Sequence, residues 1–224
     1  VVMEESPRHA RPLVEDGSLR LRDVTLELHG QRLLHLDETI ASGEVLTVMG
    51  PSGSGKSTLL AWVAGFLSPG FHASGRVILD GEDITGRPAE QTRVGLLFQD
   101  PLLFPHLSVS GNVRFGIRGE KKARVAKQVE DALASVGLFG FGNRDPATLS
   151  GGQRARVALL RLILSRPRAI LLDEPFSKLD APLRRELREV VFNHLRHQNV
   201  PAILVTHDRD DAEAAGGRMV HIGD

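Results

Sequence analysis

The sequence contains no cysteine and no tyrosine. The first absence excludes disulfides, thiolate metal sites and thiol nucleophiles; the second removes every phenol as a proton donor or stacking group. Charge of one sign is also missing: 28 Lys+Arg balance 28 Asp+Glu, for a formal net charge of zero. No global field therefore draws the chain to nucleic acid or to an anionic membrane, and no nucleic-acid partner is expected. Long hydrophobic runs are absent too. Runs such as 169–172 (AILL) and 202–205 (AILV) are four residues long and 59–64 (LLAWVA) is six, against about 18 for a bilayer span. Residues 1–18 are polar and read as a tail without the apolar core of a targeting segment. What is present is ordinary for a globular domain: 224 residues, 41% hydrophobic and 25% charged, enough to bury a sizeable core.

Short β-rich runs bounded by Gly and Asp recur at 19–28, 44–49, 76–80, 94–98, 170–173, 202–206 and 218–222. Several are apolar almost throughout, the pattern of parallel strands buried on both faces. Helical periodicity lies between them. Val125, Val129, Leu133 and Val136 share a face within 121–136. Leu183, Leu187, Val190, Val191 and Leu195 do so within 182–198, after an Asp180 N-cap and Pro182. This alternation predicts a layered α/β fold. It breaks between 101 and 167, where helix signals occur without a convincing strand. The expected organisation is a core of residues 19–100 and 168–224 with 101–167 as a helical insert.

After the strand at 44–49 come Gly50, Pro51, Ser52, Gly53, Ser54, Gly55, Lys56, Ser57 and Thr58, followed by an apolar helix at 59–67. This is G-x-x-x-x-G-K-[ST] in its context of strand, loop and helix. The glycines let successive N–H groups turn inward around an anion, and the helix N-terminus adds favourable partial charge. Lys56 is placed for β and γ phosphates and the Ser57 hydroxyl for Mg²⁺. A second acidic element would complete the metal site. The strand at 170–173 ends in Asp173 and Glu174, at the edge where open α/β sheets bind ligands. Asp173 suits the Mg²⁺ shell, and Glu174 can polarise an attacking water. His207 follows the strand at 202–206 and could reach the γ-phosphate or that water. Ser150, Gly151, Gly152 and Gln153 open a further helix, whose N-cap and exposed N–H groups form a second anion cradle; a Gly-softened helix start is the alternative.

Taken in order, GPSGSGKST (50–58), Gln99 in LLFQDP, LSGGQ (149–153), ILLDEP (170–175), SKLD (177–180) and TH (206–207) make the chain resemble the ATPase subunit of an ABC transporter over about residues 19–224. The resemblance implies a P-loop NTPase fold of the ABC ATPase type, a mixed β-sheet core with an inserted helical subdomain. It also implies a head-to-tail homodimer, with ATP between the phosphate loop of one copy and the signature of the other. On that footing Lys56, Ser57 and Thr58 bind phosphate and Mg²⁺, and Asp173 serves the metal. Glu174 is the general base, His207 the switch histidine, and Gln99 reaches both metal and water. Ser150, Gly151, Gly152 and Gln153 bind the opposite nucleotide, and Asp180 links the two sites.

FPHLSV (104–109) with Asn112 resembles bacterial importer subunits, in which the segment around Phe104 and Leu107 receives the permease. Integral-membrane permease subunits, a solute-binding protein and a place on the cytoplasmic face of the cell membrane are implied. The end soon after His207 and the QRARVALLR stretch resemble short thiamine-type importer subunits. Lys178 departs from the small residue usual at its position. Such ATPases also stack the adenine on an aromatic, often Tyr, in the loop after the first strand; here Leu28, His29 and Gly30 stand there, and no aromatic precedes Trp62. A weak base contact by His29 or Leu28 and poor discrimination between ATP and GTP are expected. Three other readings stay open: an ABC exporter subunit, a phosphotransferase using only the phosphate loop, and a DNA-acting ATPase. The last needs long coiled coils between loop and signature, where Ser150 lies only 93 residues after Ser57.

Overall fold

The computed structural model describes residues 17–117 and 122–223; residues 1–16 of the expected tail lie outside them. In chain order the first half comprises β1 (Leu19–Leu28), β2 (Gln31–Ile40), β3 (Val45–Met49), α1 (Lys56–Val63), β4 (Phe71–Leu79), β5 (Glu82–Asp83), α2 (Ala89–Thr92), β6 (Val94–Leu97) and α3 (Val109–Phe115). Then follow α4 (Lys122–Ser135), a 3₁₀ turn (Pro146–Thr148), α5 (Gly151–Leu164), β7 (Ala169–Asp173), α6 (Ala181–Gln198), β8 (Ala202–Val205), α7 (Arg209–Ala215) and β9 (Met219–His221). Two sheets result: an antiparallel one in the order β2-β1-β4-β5, and a parallel one in the order β6-β7-β8-β3-β9.

The parallel sheet is the centre of the molecule because its strands are apolar on both faces. Along β7, Ala169 and Leu171 point to one core, and Ile170 and Leu172 to the other; β8 divides Ile203 and Val205 from Ala202 and Leu204 in the same way. One core is closed by α1 and the antiparallel sheet, the other by α3, α4, α5 and α6. Between β6 and β7 the described residues hold helices and no strand.

The antiparallel sheet is larger than the sequence pattern predicts. β2 does not show in the sequence pattern because Leu33 interrupts the alternation of Leu34 and Leu36, at a register irregularity opposite Leu26/Glu27. The turn that makes β2 pair with β1 is His29-Gly30, both left-handed at φ 50° and 79°, a two-residue hairpin. β4 starts five residues before the expected strand at 76–80, and β5 was not foreseen. Gly75 inside β4 hid its first half: it faces a bulge of β1, where any Cβ would lie 2.5 Å from the Asp23 carbonyl oxygen. The helix expected at 59–67 instead runs from Lys56 to Val63 and stops before Gly65, leaving Phe66 exposed. On α6, Leu187, Val191 and Leu195 are buried as expected, but Val190 is exposed.

Candidate functional site

β3, β6, β7 and β8 run parallel, so their carboxyl ends lie along one edge, and each is followed by a residue of the expected site. A cleft of about 610 Å³ opens at that edge. The loop after β3 supplies Ser52, Gly53, Gly55, Lys56, Ser57 and Thr58 to its wall. The loop after β6 brings Gln99, the end of β7 Asp173 and Glu174, and the loop after β8 His207. Gly50, Pro51 and Ser54 belong to the same loop without lining the cleft; Ser54 Oγ donates to the Pro51 carbonyl at 2.9 Å and tightens the turn. Gly50 is required sterically, since a Cβ there would meet the Ile222 carbonyl oxygen at 2.3 Å. Lys56 is buried, and its Nζ donates to the carbonyls of Gly50 and Pro51 at 2.8 and 2.6 Å, which holds the ammonium against the loop.

The Glu174 carboxylate is the hub of the polar groups. Glu174 accepts from Gln99 Nε2 at 3.4 Å through one oxygen and from His207 Nδ1 at 2.9 Å through the other. A carboxylate acceptor requires the imidazole tautomer that carries its proton on Nδ1. Glu174 also has a left-handed backbone, φ 45°, tied by its N–H to the Val205 carbonyl at 2.9 Å. Burial pushes the Asp173 carboxyl above its ordinary range, while a hydrogen bond from Ser57 draws it down, the charge of Glu174 adds to the rise and Lys56 opposes it.

Ser57 hydroxyl, Asp173 carboxylate and the amide oxygen of Gln99 form an all-oxygen donor set that fits Mg²⁺, and a buried carboxylate with a raised pKa is a group that a hard cation relieves. Among the described residues no group of three or more His, Asp or Glu could hold a metal by itself. The phosphate oxygens of a bound nucleotide would have to complete the shell, the usual manner for Mg²⁺.

Ser150, Gly151, Gly152 and Gln153 do not line this cleft, and neither does Asp180. Ser150 caps α5 through a reciprocal pair: its Oγ accepts from the Gln153 N–H at 3.2 Å, and Gln153 Oε1 accepts from the Ser150 N–H at 2.9 Å. Asp180 caps α6, accepting from the Leu183 N–H at 3.1 Å. Lys178 forms an ion pair with Asp100, the residue after Gln99, and so ties the loop leading to α6 to the loop after β6. Sequence reasoning missed the group that carries His207. The Thr206 hydroxyl donates to Asp211 at 3.0 Å and accepts from the Asp208 N–H at 3.1 Å, while Arg184 donates to Asp208 at 2.7 Å and Arg188 pairs with Asp208 and Asp211. It missed Phe71 as well, which lines the cleft with Leu28 and Leu33; His29 is exposed in the hairpin turn and does not line it.

A glycine-rich loop between strand and helix, with carboxylates and a histidine at neighbouring strand ends, defines a P-loop nucleotide-binding site in an ATP-binding-cassette fold. Residues 33–177 match the family model described as ABC transporter, and the chain belongs to that family as an ATP-binding subunit. It is 46% identical over 198 residues to the uncharacterized ABC transporter ATP-binding protein YnjD of Escherichia coli K12, covering 88% of this chain and 91% of that one. It is 43% identical to the spermidine/putrescine import ATP-binding protein PotA of Oleidesulfovibrio alaskensis (86% of this chain, 51% of the relative). With the Fe(3+) ions import ATP-binding protein FbpC of Escherichia coli O157:H7 the identity is 39% (90% and 58%); the chain thus spans little more than half the length of these import proteins. Among solved structures, the ATP-binding cassette MJ0796, a dimer in a post-hydrolysis state bound to ADP and Pi, matches with a TM-score of 0.77 at 30% identity over 91% of this chain and 94% of that one.

Proposed function

We propose that this chain hydrolyses MgATP as the nucleotide-binding subunit of an ABC importer. It would work as a homodimer on the cytoplasmic face of the cell membrane, together with integral permease subunits and a solute-binding protein. The observation that carries the reading is the convergence of Lys56, Ser57, Gln99, Asp173, Glu174 and His207 on one cleft while the Ser150–Gln153 cap lies outside it. A second copy placed head to tail would bring Ser150, Gly151, Gly152 and Gln153 to the γ-phosphate, with Asp180 between the two sites. In this arrangement 19–100 and 168–224 bind nucleotide and 101–167 carries the signature.

Glu174 takes the proton of the attacking water, and the His207 Nδ1–H and Gln99 amide fix the orientation of its carboxylate. Ser57, Asp173 and Gln99 would hold Mg²⁺, which would supply neutralisation of phosphate charge. Lys56 and the N–H groups of the 50–58 loop stabilise the remaining negative charge. No helix among the described residues is long and apolar enough to cross a membrane. The permease would dock where Leu102 and Phe115 stand exposed beside Phe104. The names of PotA and FbpC favour import over export; they name polyamines and ferric iron, so the thiamine-type likeness draws no support from them. The test is Glu174→Gln: steady phosphate release is expected to fall about 10²-fold or more, with an ATP-bound dimer accumulating on size-exclusion chromatography. Undiminished turnover, or phosphate transferred to a metabolite, would sink the reading.

A further inference from the structure

The lining of the cleft is of two chemical kinds. Ser52, Gly53, Gly55 to Thr58, Gln99, Asp173, Glu174 and His207 make the part around the loop polar, while Leu28 and Phe71, opposite one another on β1 and β4, form an apolar wall that Leu33, packed against Gly55, joins to the loop. A nucleotide whose phosphates lie on the loop carries its ribose and base away from the polar groups. The apolar wall is then the surface left for the base.

Phe71 is held there by local geometry. Ser68 to Phe71 form a tight turn with Pro69 second and Gly70 third at φ 91°, closed by the Phe71 N–H donating to the Ser68 carbonyl at 3.3 Å; this is the type II pattern. The turn delivers Phe71 as the first residue of β4, directly opposite Leu28 of β1. A Cβ built on Gly70 would lie 3.8 Å from His29 Cε1 and 3.9 Å from Leu28 Cδ1, so the turn abuts the end of β1 and the hairpin turn after it. Phe71 itself is half-buried, with area left to cover.

The geometry points to Phe71 as the residue whose ring bears the nucleobase, with Leu28 and Leu33 completing a wall that accepts adenine and guanine alike. This deepens the ATPase reading above and rests on it. It moves the base contact from the β1–β2 turn, where the family resemblance places it, to the start of β4. An apolar wall rewards any flat heteroaromatic through stacking and area, and it offers no side-chain donor or acceptor to tell one purine edge from another.

Calorimetric titration of the full chain with MgATP, MgGTP and Mg-tripolyphosphate separates base from phosphate contributions. Phe71→Ala should weaken ATP and GTP about tenfold and leave tripolyphosphate within about twofold. Phe71→Trp should keep wild-type affinity, and His29→Ala should change nothing. ATP and GTP should bind the wild-type chain within about threefold of each other. Unchanged ATP affinity in Phe71→Ala, equal losses of ATP and tripolyphosphate, a loss in His29→Ala, or a strong wild-type preference for ATP over GTP would each overturn the proposal. A wild-type chain that binds neither ATP nor tripolyphosphate would instead overturn the ATPase reading.

Discussion

Glu174 sits in the left-handed region at φ 45°, a conformation that costs a non-glycine residue of order 1–3 kcal/mol and persists only where its surroundings impose it. Here they do: its N–H is tied to β8 through Val205, and its carboxylate is held from both sides by Gln99 and His207. His207 in turn is placed by groups that never enter the cleft. The Arg188 side chain, only 9% exposed, faces that of Asp211, which is more buried still at 4%. Removing one partner of a buried ion pair strands the other charge. Arg188→Ala is therefore expected to cost about 3–5 kcal/mol of stability in urea denaturation, and the double variant Arg188→Met/Asp211→Leu to recover most of that. A loss below about 1 kcal/mol in the single variant would show the pair to be a mere surface contact.

At the level of elements, α6 joins two parts of the proposed mechanism. Its N-cap is Asp180, and one and two turns further on it presents Arg184 and Arg188 to the residues flanking His207. Lys178, just ahead of that cap, reaches back to Asp100, so the loop of Gln99 and the entry to α6 are tied by a pair that costs little to break. The turn before α3 is held differently. Asn112 is fully buried; its Nδ2 donates to the carbonyls of Phe104, Leu107 and Ser108 at 3.1, 3.2 and 3.1 Å, and its Oδ1 accepts from the Phe104 N–H at 2.7 Å. Asn112→Ala strands these backbone groups. A loss of about 1–3 kcal/mol in thermal unfolding is expected, together with weaker capture by permease subunits and unchanged ATP affinity. Full permease capture in that variant would separate the turn from docking.

For the molecule as a whole, stability rests on the parallel sheet being covered on both faces. Leu204, wholly buried on β8, faces the helical side and shares that core with Leu172 of β7. Leu204→Ala leaves a cavity that the sheet cannot close and is expected to lower stability by about 2–5 kcal/mol in urea unfolding; a cost under 1 kcal/mol would mean that the helices repack freely. The parts of this architecture legible in the sequence are those set by local chemistry. Doubly apolar strands announce a covered parallel sheet, and GPSGSGKST announces its loop because each requirement, whether a glycine, a lysine or a hydroxyl, lies within nine consecutive residues. Asp173, Glu174 and His207 are legible for the same reason, each ending an apolar run. Left to the tertiary structure were the pairing of β2 and β4 across β1, the Arg188–Asp211 group, the Lys178–Asp100 link and the place of Phe71 in the cleft. All of these depend on register or on contacts between segments far apart in the chain. No window of sequence contains both partners, so packing alone decides which side chains meet.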